Sequence, residues 1–274
     1  MLKQVLVFTD MDGTLLDHDN YDYSPALDML NTLKSKHFPV IPATSKTKAE
    51  LDVLMAELQL SGPCIVENGA AIYLPQHLFH TRPEGCIEKP GYWVKEFVRP
   101  RPHWLDLISK LFSEFDSEFL QFSNMSNQDI IQYTGLDEKS ARLANTRLYS
   151  EPVKWLGTLE RKTLFIAQLQ QLGANVLQGG RFLGVSGQCD KGLALIWLVD
   201  AYQRQLGLRA TVSIALGDSN NDVAMLEASD IAVRIKSPTH NFPTLTRTSG
   251  IYDSSLMGPS GWSECLSKIL IREC

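Results

Sequence analysis

Two pairs of acidic residues, far apart in the chain, each follow an apolar segment. Asp10 and Asp12 come just after the apolar residues 5–8, with Thr9 between them and Asp10. Asp218 and Asp222 follow a second, β-branched segment and are one helical turn apart, which places them on the same side. Carboxylates that crowd around one point need a cation to neutralise them, and hard oxygen ligands suit Mg²⁺. Taken singly, each pair also fits a polar loop that caps a helix.

Thr44 and Lys191 add a hydroxyl and a cation to these acids. Thr44 ends a predicted strand, and its hydroxyl can donate a hydrogen bond to an anionic oxygen. Lys191 begins a predicted helix, although cations favour the other helix end, so its position indicates an anion nearby. Singly, Thr44 also fits a residue that leads into a helix, and Lys191 an exposed lysine. Jointly, these residues supply every group that aspartyl-phosphate chemistry requires.

The elements that must position these residues alternate between strands and helices. Residues 5–8, 38–43 and 64–66 have the apolar composition of buried strands. Thr47 and Glu50 have the spacing of a capping box at the start of a helix. The same alternation returns in the last third of the chain. It predicts an α/β fold with a Rossmann-like parallel-sheet core, whose carboxyl strand ends form the ligand site.

The composition changes near Pro83, where prolines and glycines become frequent and the alternation stops. We expect an inserted α+β cap domain at residues 84–186, because an insertion of this length must fold on its own. The catalytic core domain is then residues 1–83 plus 187–274. The acids, Thr44 and Lys191 all lie outside the insertion, so we expect the cap to select the substrate.

Composition and charge exclude several classes of protein. The net charge is −5 and 44% of the residues are hydrophobic, which is ordinary for a soluble globular protein and unlike a basic nucleic-acid binder. The five cysteines are scattered without metal-binding spacing, which favours reduced thiols. No signal peptide or membrane span is predicted from the apolar run near the N-terminus. We therefore expect a cytoplasmic protein whose partner is a small phosphorylated substrate, with no nucleic acid and no membrane.

Four segments, in order, resemble the signature motifs of the haloacid dehalogenase (HAD) superfamily of phosphatases: residues 10–14, Thr44, Lys191 and residues 217–222. The segment GDSNNDVAML and the place of the insertion resemble the Cof-type branch with a large α/β cap. The segments ATSKTKAEL, ENGAAIY and GGRFLGV are similar to those of mannosyl-3-phosphoglycerate phosphatases.

The HAD resemblance implies a covalent mechanism that depends on Mg²⁺. In such a mechanism Asp10 attacks phosphorus and becomes an aspartyl phosphate. Asp12 protonates the leaving oxygen and then deprotonates water. The metal would be held by Asp10, the Asp12 carbonyl and Asp218, while Asp222 would orient water ligands of the metal.

The resemblance also implies how the substrate is held. Thr44 and Lys191 would bind the oxygens of the transferred phosphoryl group. Asn68 and Arg181 are the candidates for substrate recognition, and Asn221 would hold the loop and the substrate. Asn68 equally fits a hairpin turn, and Arg181 also fits a surface arginine that follows the Gly179-Gly180 turn.

Other functions remain open on the sequence alone. A general sugar-phosphate phosphatase would use the same residues, and a phosphomutase would return the phosphoryl group to another hydroxyl. A signalling receiver domain also carries acids, a hydroxyl and a lysine at strand ends, but would be about half as long. A non-catalytic binding protein would have no need to retain Asp10, Asp12, Lys191 and Asp218.

Overall fold

The structure is a computed structural model that describes residues 4–79, 81–178, 181–207 and 211–273. Strands and helices alternate through much of this part of the chain. The strands are β1 (Gln4–Thr9), β2 (Val40–Pro42), β3 (Cys64–Val66), β4 (Ala71–Pro75), β5 (Ile87–Lys89), β6 (Tyr92–Glu96), β7 (Phe119–Gln121), β8 (Glu151–Trp155), β9 (Asn175–Gln178), β10 (Leu183–Ser186), β11 (Thr211–Gly217), β12 (Ile231–Lys236) and β13 (Ile251–Met257). The helices are α1 (Leu27–Ser35), α2 (Lys48–Glu57), α3 (Arg101–Ser109), α4 (Asn127–Thr134), α5 (Glu138–Asn145), α6 (Leu159–Gln171), α7 (Lys191–Leu206), α8 (Val223–Ala228) and α9 (Gly258–Glu273).

The chain divides into two compact units. The first contains Met1–Ser45, Leu60–Lys95 and Asp190–Cys274, and the second contains Lys46–Gln59 and Glu96–Cys189. The second unit therefore includes α2, which packs against α5, and its longer segment begins at Glu96, later in the chain than residue 84. The core and cap boundaries of the sequence analysis remain a prediction.

A five-stranded parallel sheet forms the centre of the first unit, with strand order β13-β12-β11-β1-β2. β1 lies between β11 and β2. It is apolar, and after its first residue every side chain is buried, as expected for a strand covered on both faces. β1 and β11 run side by side in register, from Gln4 opposite Thr211 to Thr9 opposite Leu216. This pairing brings the carboxyl ends of the two strands together, so the residues that follow them share one edge of the sheet. The predicted α/β class with a parallel-sheet core is confirmed.

A second sheet in the first unit has the order β3-β4-β6-β5. β3 and β4 are antiparallel and are joined by a single turn of 3₁₀ helix, Glu67–Gly69. The segment 64–66 is thus a strand, as predicted. It pairs within this sheet, and a β-bridge between Ala43 and Ile65 links it to the end of β2.

The second unit contains an antiparallel sheet with the order β7-β8-β10-β9. Its core is a cluster of aromatic and aliphatic side chains centred on Phe115, Phe119 and Phe165, which stack edge-on or tilted at 4.9–5.3 Å between ring centroids. A separate sheet with its own apolar core is consistent with the predicted α+β character of the insertion. No helix in the described part of the chain is long and apolar enough to cross a membrane.

Candidate active site

The tip of β1 carries Asp10, which is only 6% exposed. Its backbone N–H donates to the Leu216 carbonyl at 2.9 Å, which ties the end of β1 to the end of β11. Gly13 follows in a left-handed conformation with φ of +75°, and a Cβ there would lie 2.8 Å from Asp218 Oδ2. Only glycine combines this backbone angle with so close an approach. The turn after β1 therefore packs directly on the carboxylate that follows β11.

The turn after β11 is organised by Asp222. Its Oδ2 accepts hydrogen bonds from the backbone N–H groups of Asp218 and Ser219, each at 3.1 Å. The turn is so tight that a Cβ on Gly217 would lie 2.5 Å from the Asp222 Cβ. Asp222 is fully buried and Asp218 nearly so. Asp222 thus fixes the backbone that presents Asp218.

Lys191 bridges the two strand ends. Its Nζ donates to Asp10 Oδ1 and to Asp222 Oδ1, both at 2.6 Å, and the lysine is 0% exposed. Burial lowers the pKa of this ammonium, but Asp10 and Asp222 outweigh it and hold the pKa above its ordinary value. Lys191 is therefore a buried, permanently charged group, and the alternative of an exposed lysine is wrong.

Three carboxylates around this lysine are close enough to hold a metal ion. One ligand atom from each of Asp10, Asp218 and Asp222 lies within 4.8 Å of the others, and all three residues are buried. Burial first, and then the charge of Asp222, raise the pKa values of Asp10 and of Asp218 above the ordinary range. A single ammonium cannot neutralise three buried carboxylates, so a divalent cation fits this cluster in charge and in ligand chemistry.

Thr44 and Asn68 form the neighbouring part of the first unit. Thr44 is 1% exposed. Its N–H donates to Ile65 at 3.0 Å, and its carbonyl accepts from the Asn68 N–H at 2.9 Å. Asn68 has φ of +58°, a left-handed conformation that asparagine tolerates. Its Oδ1 accepts a hydrogen bond from Asn221 Nδ2 at 3.3 Å, so the Asn68 turn and the turn after β11 are linked.

Asp12 is half-buried, next to Asp10, and its charge raises the pKa of the Asp10 carboxyl.

Arg181 belongs to the second unit and is exposed. Its Nη1 donates to the carbonyl oxygens of Tyr133 and Thr134, at 3.0 and 2.9 Å, at the end of α4. This contact ties part of the guanidinium to a helix C-terminus, and the Gly179-Gly180 turn expected to direct Arg181 lies outside the described residues. The substrate-binding roles of Asn68, Asn221 and Arg181 remain predictions.

His240 is a neighbour of the acidic cluster that the sequence analysis did not identify. Its Nε2 lies 3.4 Å from Asp218 Oδ2. Residues 237–250 connect β12 to β13 without regular structure, and their Ser, Thr, Asn and Pro content predicts only a loop. The length of this loop was the one available signal, since long irregular loops in compact domains are often functional.

The amino-acid sequence is similar to those of known hydrolases. Residues 7–82 match the family model described as haloacid dehalogenase-like hydrolase. A glucosyl-3-phosphoglycerate/mannosyl-3-phosphoglycerate phosphatase of Methanococcoides burtonii is 34% identical over 265 residues, covering 97% of each chain. A protein of the same name from Persephonella marina is 32% identical over 270 residues, again covering 97% of each chain.

The fold is shared with solved structures of much lower identity. A phosphatase of the HAD superfamily from Bacteroides thetaiotaomicron superposes with a TM-score of 0.68 at 17% identity, covering 98% of this chain and 96% of the other. Identity this low supports the fold alone, whereas the two relatives cover almost the whole chain at more than 30% identity. The chain therefore belongs to the haloacid dehalogenase-like hydrolases, and it is a phosphatase.

Proposed function

We propose that this phosphatase hydrolyses the phosphomonoester of a glycosylated 3-phosphoglycerate, carrying mannose or glucose, through an aspartyl phosphate on Asp10 and with Mg²⁺. The main support for the proposed chemistry is the buried ammonium of Lys191, which donates hydrogen bonds to both Asp10 and Asp222. The names of the two relatives, together with the resemblance of three sequence segments to mannosyl-3-phosphoglycerate phosphatases, support the choice of substrate.

The first half-reaction forms a bond between an Asp10 carboxylate oxygen and phosphorus, while the ester P–O bond breaks. Asp12 gives its proton to the departing sugar-acid oxygen, which leaves as a neutral alcohol. Lys191 and the Thr44 hydroxyl stabilise the charge that develops on the phosphoryl oxygens. Asp10 is well placed for this role because its backbone is tied to β11 and Lys191 restrains its side chain.

The second half-reaction returns the enzyme to its starting state. Asp12, now ionised, takes a proton from water, and the water oxygen attacks phosphorus as the Asp10–phosphorus bond breaks. Free phosphate leaves and Asp12 is again protonated. This exchange of roles requires Asp12 to move a proton in both directions, which suits a half-buried carboxyl more than a fully enclosed one.

Mg²⁺, when bound, supplies charge neutralisation for the phosphoryl group and for the three carboxylates. Asp10, the Asp12 carbonyl and Asp218 would hold it. Asp222 is part of the same cluster, but one of its oxygens accepts from Lys191 and the other from two backbone N–H groups. We therefore assign Asp222 mainly to positioning Lys191 and the Asp218 backbone, and to the metal only through its charge.

The experiment is a phosphate-release assay with the full chain. The substrates are mannosyl- and glucosyl-3-phosphoglycerate, free 3-phosphoglycerate, hexose phosphates and an aryl phosphate, each with EDTA or Mg²⁺. We expect the highest kcat/KM for one of the two glycosylated substrates, and no turnover in EDTA. A higher kcat/KM for hexose phosphates would contradict the substrate assignment. A rearranged sugar phosphate in place of free phosphate would contradict hydrolysis and identify a mutase.

A further inference from the structure

The carbonyl oxygen of Asp10 is held by the side chain of its neighbour in β1. Thr9 Oγ1 donates a hydrogen bond to this oxygen at 2.7 Å, and Thr9 is 0% exposed. The planar peptide that carries the Asp10 carbonyl rotates about the Cα–C bond of Asp10, so a bond to the carbonyl restrains the backbone angle ψ of that residue. This angle sets the direction in which the chain leaves β1 towards Asp12. The Thr9 hydroxyl therefore acts on the geometry between the two acids.

Trp262 on α9 determines which way the Thr9 hydroxyl points. Its indole Nε1 lies 3.0 Å from Thr9 Oγ1, and the tryptophan is 0% exposed. An indole N–H only donates, so the hydroxyl accepts from Trp262 and keeps its single proton for the Asp10 carbonyl. Indole, hydroxyl and carbonyl thus form two consecutive buried hydrogen bonds that end on the backbone of the candidate nucleophile.

The packing of α9 fixes the position of the indole. Gly261 comes so close to β13 that a Cβ on it would lie 2.3 Å from the Leu256 carbonyl oxygen. Ser263 Oγ donates to the Pro25 carbonyl at 2.8 Å, in the segment just before α1. The residues on either side of Trp262 in the chain are therefore tied to other elements of the first unit. The indole N–H has little freedom to follow the hydroxyl if the hydroxyl turns away.

We propose that Thr9 and Trp262 are positioning residues of the phosphatase site, which fix the Asp10 backbone so that Asp12 faces the leaving oxygen while Asp10 faces phosphorus. Both act through the backbone of Asp10 and not on the substrate. A displacement of about 1 Å in a reacting group can lower a rate by about 100-fold, so a restraint of this kind has a measurable effect. The inference rests on the proposed roles of Asp10 and Asp12.

The test uses two aryl phosphates that differ in their need for a general acid. Phenolate is a poorer leaving group than 4-nitrophenolate, so phenyl phosphate depends more on protonation by Asp12. The kcat/KM of the full chain with Mg²⁺ is measured on both substrates for Thr9→Val, Thr9→Ser, Trp262→Phe and the double variant with Thr9→Val and Trp262→Phe. This parameter reports the formation of the aspartyl phosphate and not its later hydrolysis.

Two further variants supply the reference and the control. Asp12→Asn shows how the two substrates respond to loss of the general acid itself. Trp104→Phe is the matched control, because Trp104 is 3% exposed and its Nε1 donates to the Arg99 carbonyl at 3.0 Å in the second unit. It loses a buried indole hydrogen bond of the same kind, far in sequence from the acids. Urea unfolding is measured for every variant.

We expect Thr9→Val to lower kcat/KM about 10-fold or more on phenyl phosphate, and less than about threefold on 4-nitrophenyl phosphate. Thr9→Ser retains the hydroxyl and should stay within about threefold of wild type on both. Trp262→Phe should act in the same direction as Thr9→Val but more weakly, because the hydroxyl remains and is free to turn. The double variant should lose no more than Thr9→Val alone, since Trp262 acts through the hydroxyl. Trp104→Phe should lower stability without separating the two substrates.

Three results would overturn the inference while leaving the proposed function intact, provided that Asp12→Asn does separate the two substrates. The first is an unchanged kcat/KM in Thr9→Val, and the second is an equal loss on both substrates. The third is an additive loss in the double variant, which would show that Trp262 acts independently of Thr9. If Thr9→Val does not fold, Trp262→Phe keeps a buried ring and decides between the same outcomes. Equal losses on both substrates in Asp12→Asn would instead contradict the proposed general acid, and the role of Thr9 and Trp262 with it.

Discussion

Replacement of Lys191 by methionine tests the electrostatics of the site most severely. The ammonium is 0% exposed and forms two ion pairs of 2.6 Å, with Asp10 and with Asp222. Methionine has a similar length and no charge, so Lys191→Met leaves two buried carboxylates facing each other. Loss of one partner from a buried ion pair costs about 3–5 kcal/mol, and here one substitution removes the partner of two acids. We expect the free energy of unfolding in EDTA to fall by at least about 4 kcal/mol at pH 9.5.

The loss of stability caused by Lys191→Met should also depend on pH. Burial, followed by the charge of Asp222, raises the pKa of Asp10 to about 8, whereas Lys191 lowers it. Removing the lysine raises this pKa further, so a proton on Asp10 can replace the lost ammonium once the pH falls below it. A group whose folded pKa is raised contributes stability at low pH and loses it as the pH rises through that value. The wild type and Lys191→Met bind different numbers of protons only between their two Asp10 pKa values, which are about 8 and a higher value. The difference in their stability should therefore shrink as the pH falls from 9.5 to 7.

Urea denaturation in EDTA at these two pH values measures the effect, with the exposed Lys139→Met as the matched control. Turnover in saturating Mg²⁺ should fall by roughly 10²–10³, the cost of one lost oxyanion-stabilising group. A loss of stability below about 1 kcal/mol at pH 9.5, or one that grows as the pH falls, would refute the assignment of Lys191 as the buried counter-ion.

Three further predictions concern the metal, the substrate and the second unit. Asp218→Asn should weaken Mg²⁺ binding about 10-fold or more in calorimetry, and unchanged affinity would contradict its role as a ligand. Arg181→Ala should lower kcat/KM for a glycosyl phosphoglycerate roughly 10-fold and spare an aryl phosphate, whereas equal losses on both would indicate a structural role at the end of α4. Glu151 is 0% exposed and paired with Arg101. Glu151→Ala should lower the free energy of unfolding by about 3–5 kcal/mol, and a decrease below about 1 kcal/mol in urea denaturation would contradict a buried ion pair.

The acids and Lys191 could be located from the sequence because their signal is local and one-dimensional. A buried apolar strand followed at once by acids leaves few positions for those acids other than the strand tip. The parallel pairing of β1 with β11 then brings Asp10 and Asp218 together. Thr47 likewise caps α2 as its spacing with Glu50 predicts, and both bonds of the capping box are present.

Other elements had no comparable signal. β13 begins with Ile251 but continues through Asp253 and Ser254, and its mixture of exposed and buried side chains has no strict alternation. β8 contains Pro152, which argues against a strand, and is nevertheless paired on both sides. In both cases tertiary pairing outweighs the local preference of the residues, which sequence patterns alone do not contain.

The different roles of Asp218 and Asp222 could not be assigned from the sequence either. Sequence spacing places Asp222 one turn after Asp218, which fits a metal ligand as well as a helix cap. The structure shows that Asp222 accepts from Lys191 and from two backbone N–H groups at once. His240 could not be predicted for a related reason, because it lies in an irregular loop and is far from Asp218 in sequence, although the two side chains are 3.4 Å apart.

The central claim is that Asp10 is the covalent nucleophile, and the rate of phosphate release by Asp10→Asn in saturating Mg²⁺ tests it most directly. An amide has nearly the shape of the carboxylate, so the fold should be retained. It cannot form the phosphoryl intermediate, so the reaction should stop. We expect turnover to fall by at least about 10⁴-fold on every substrate that the wild type hydrolyses. Turnover within 10-fold of the wild type would contradict it.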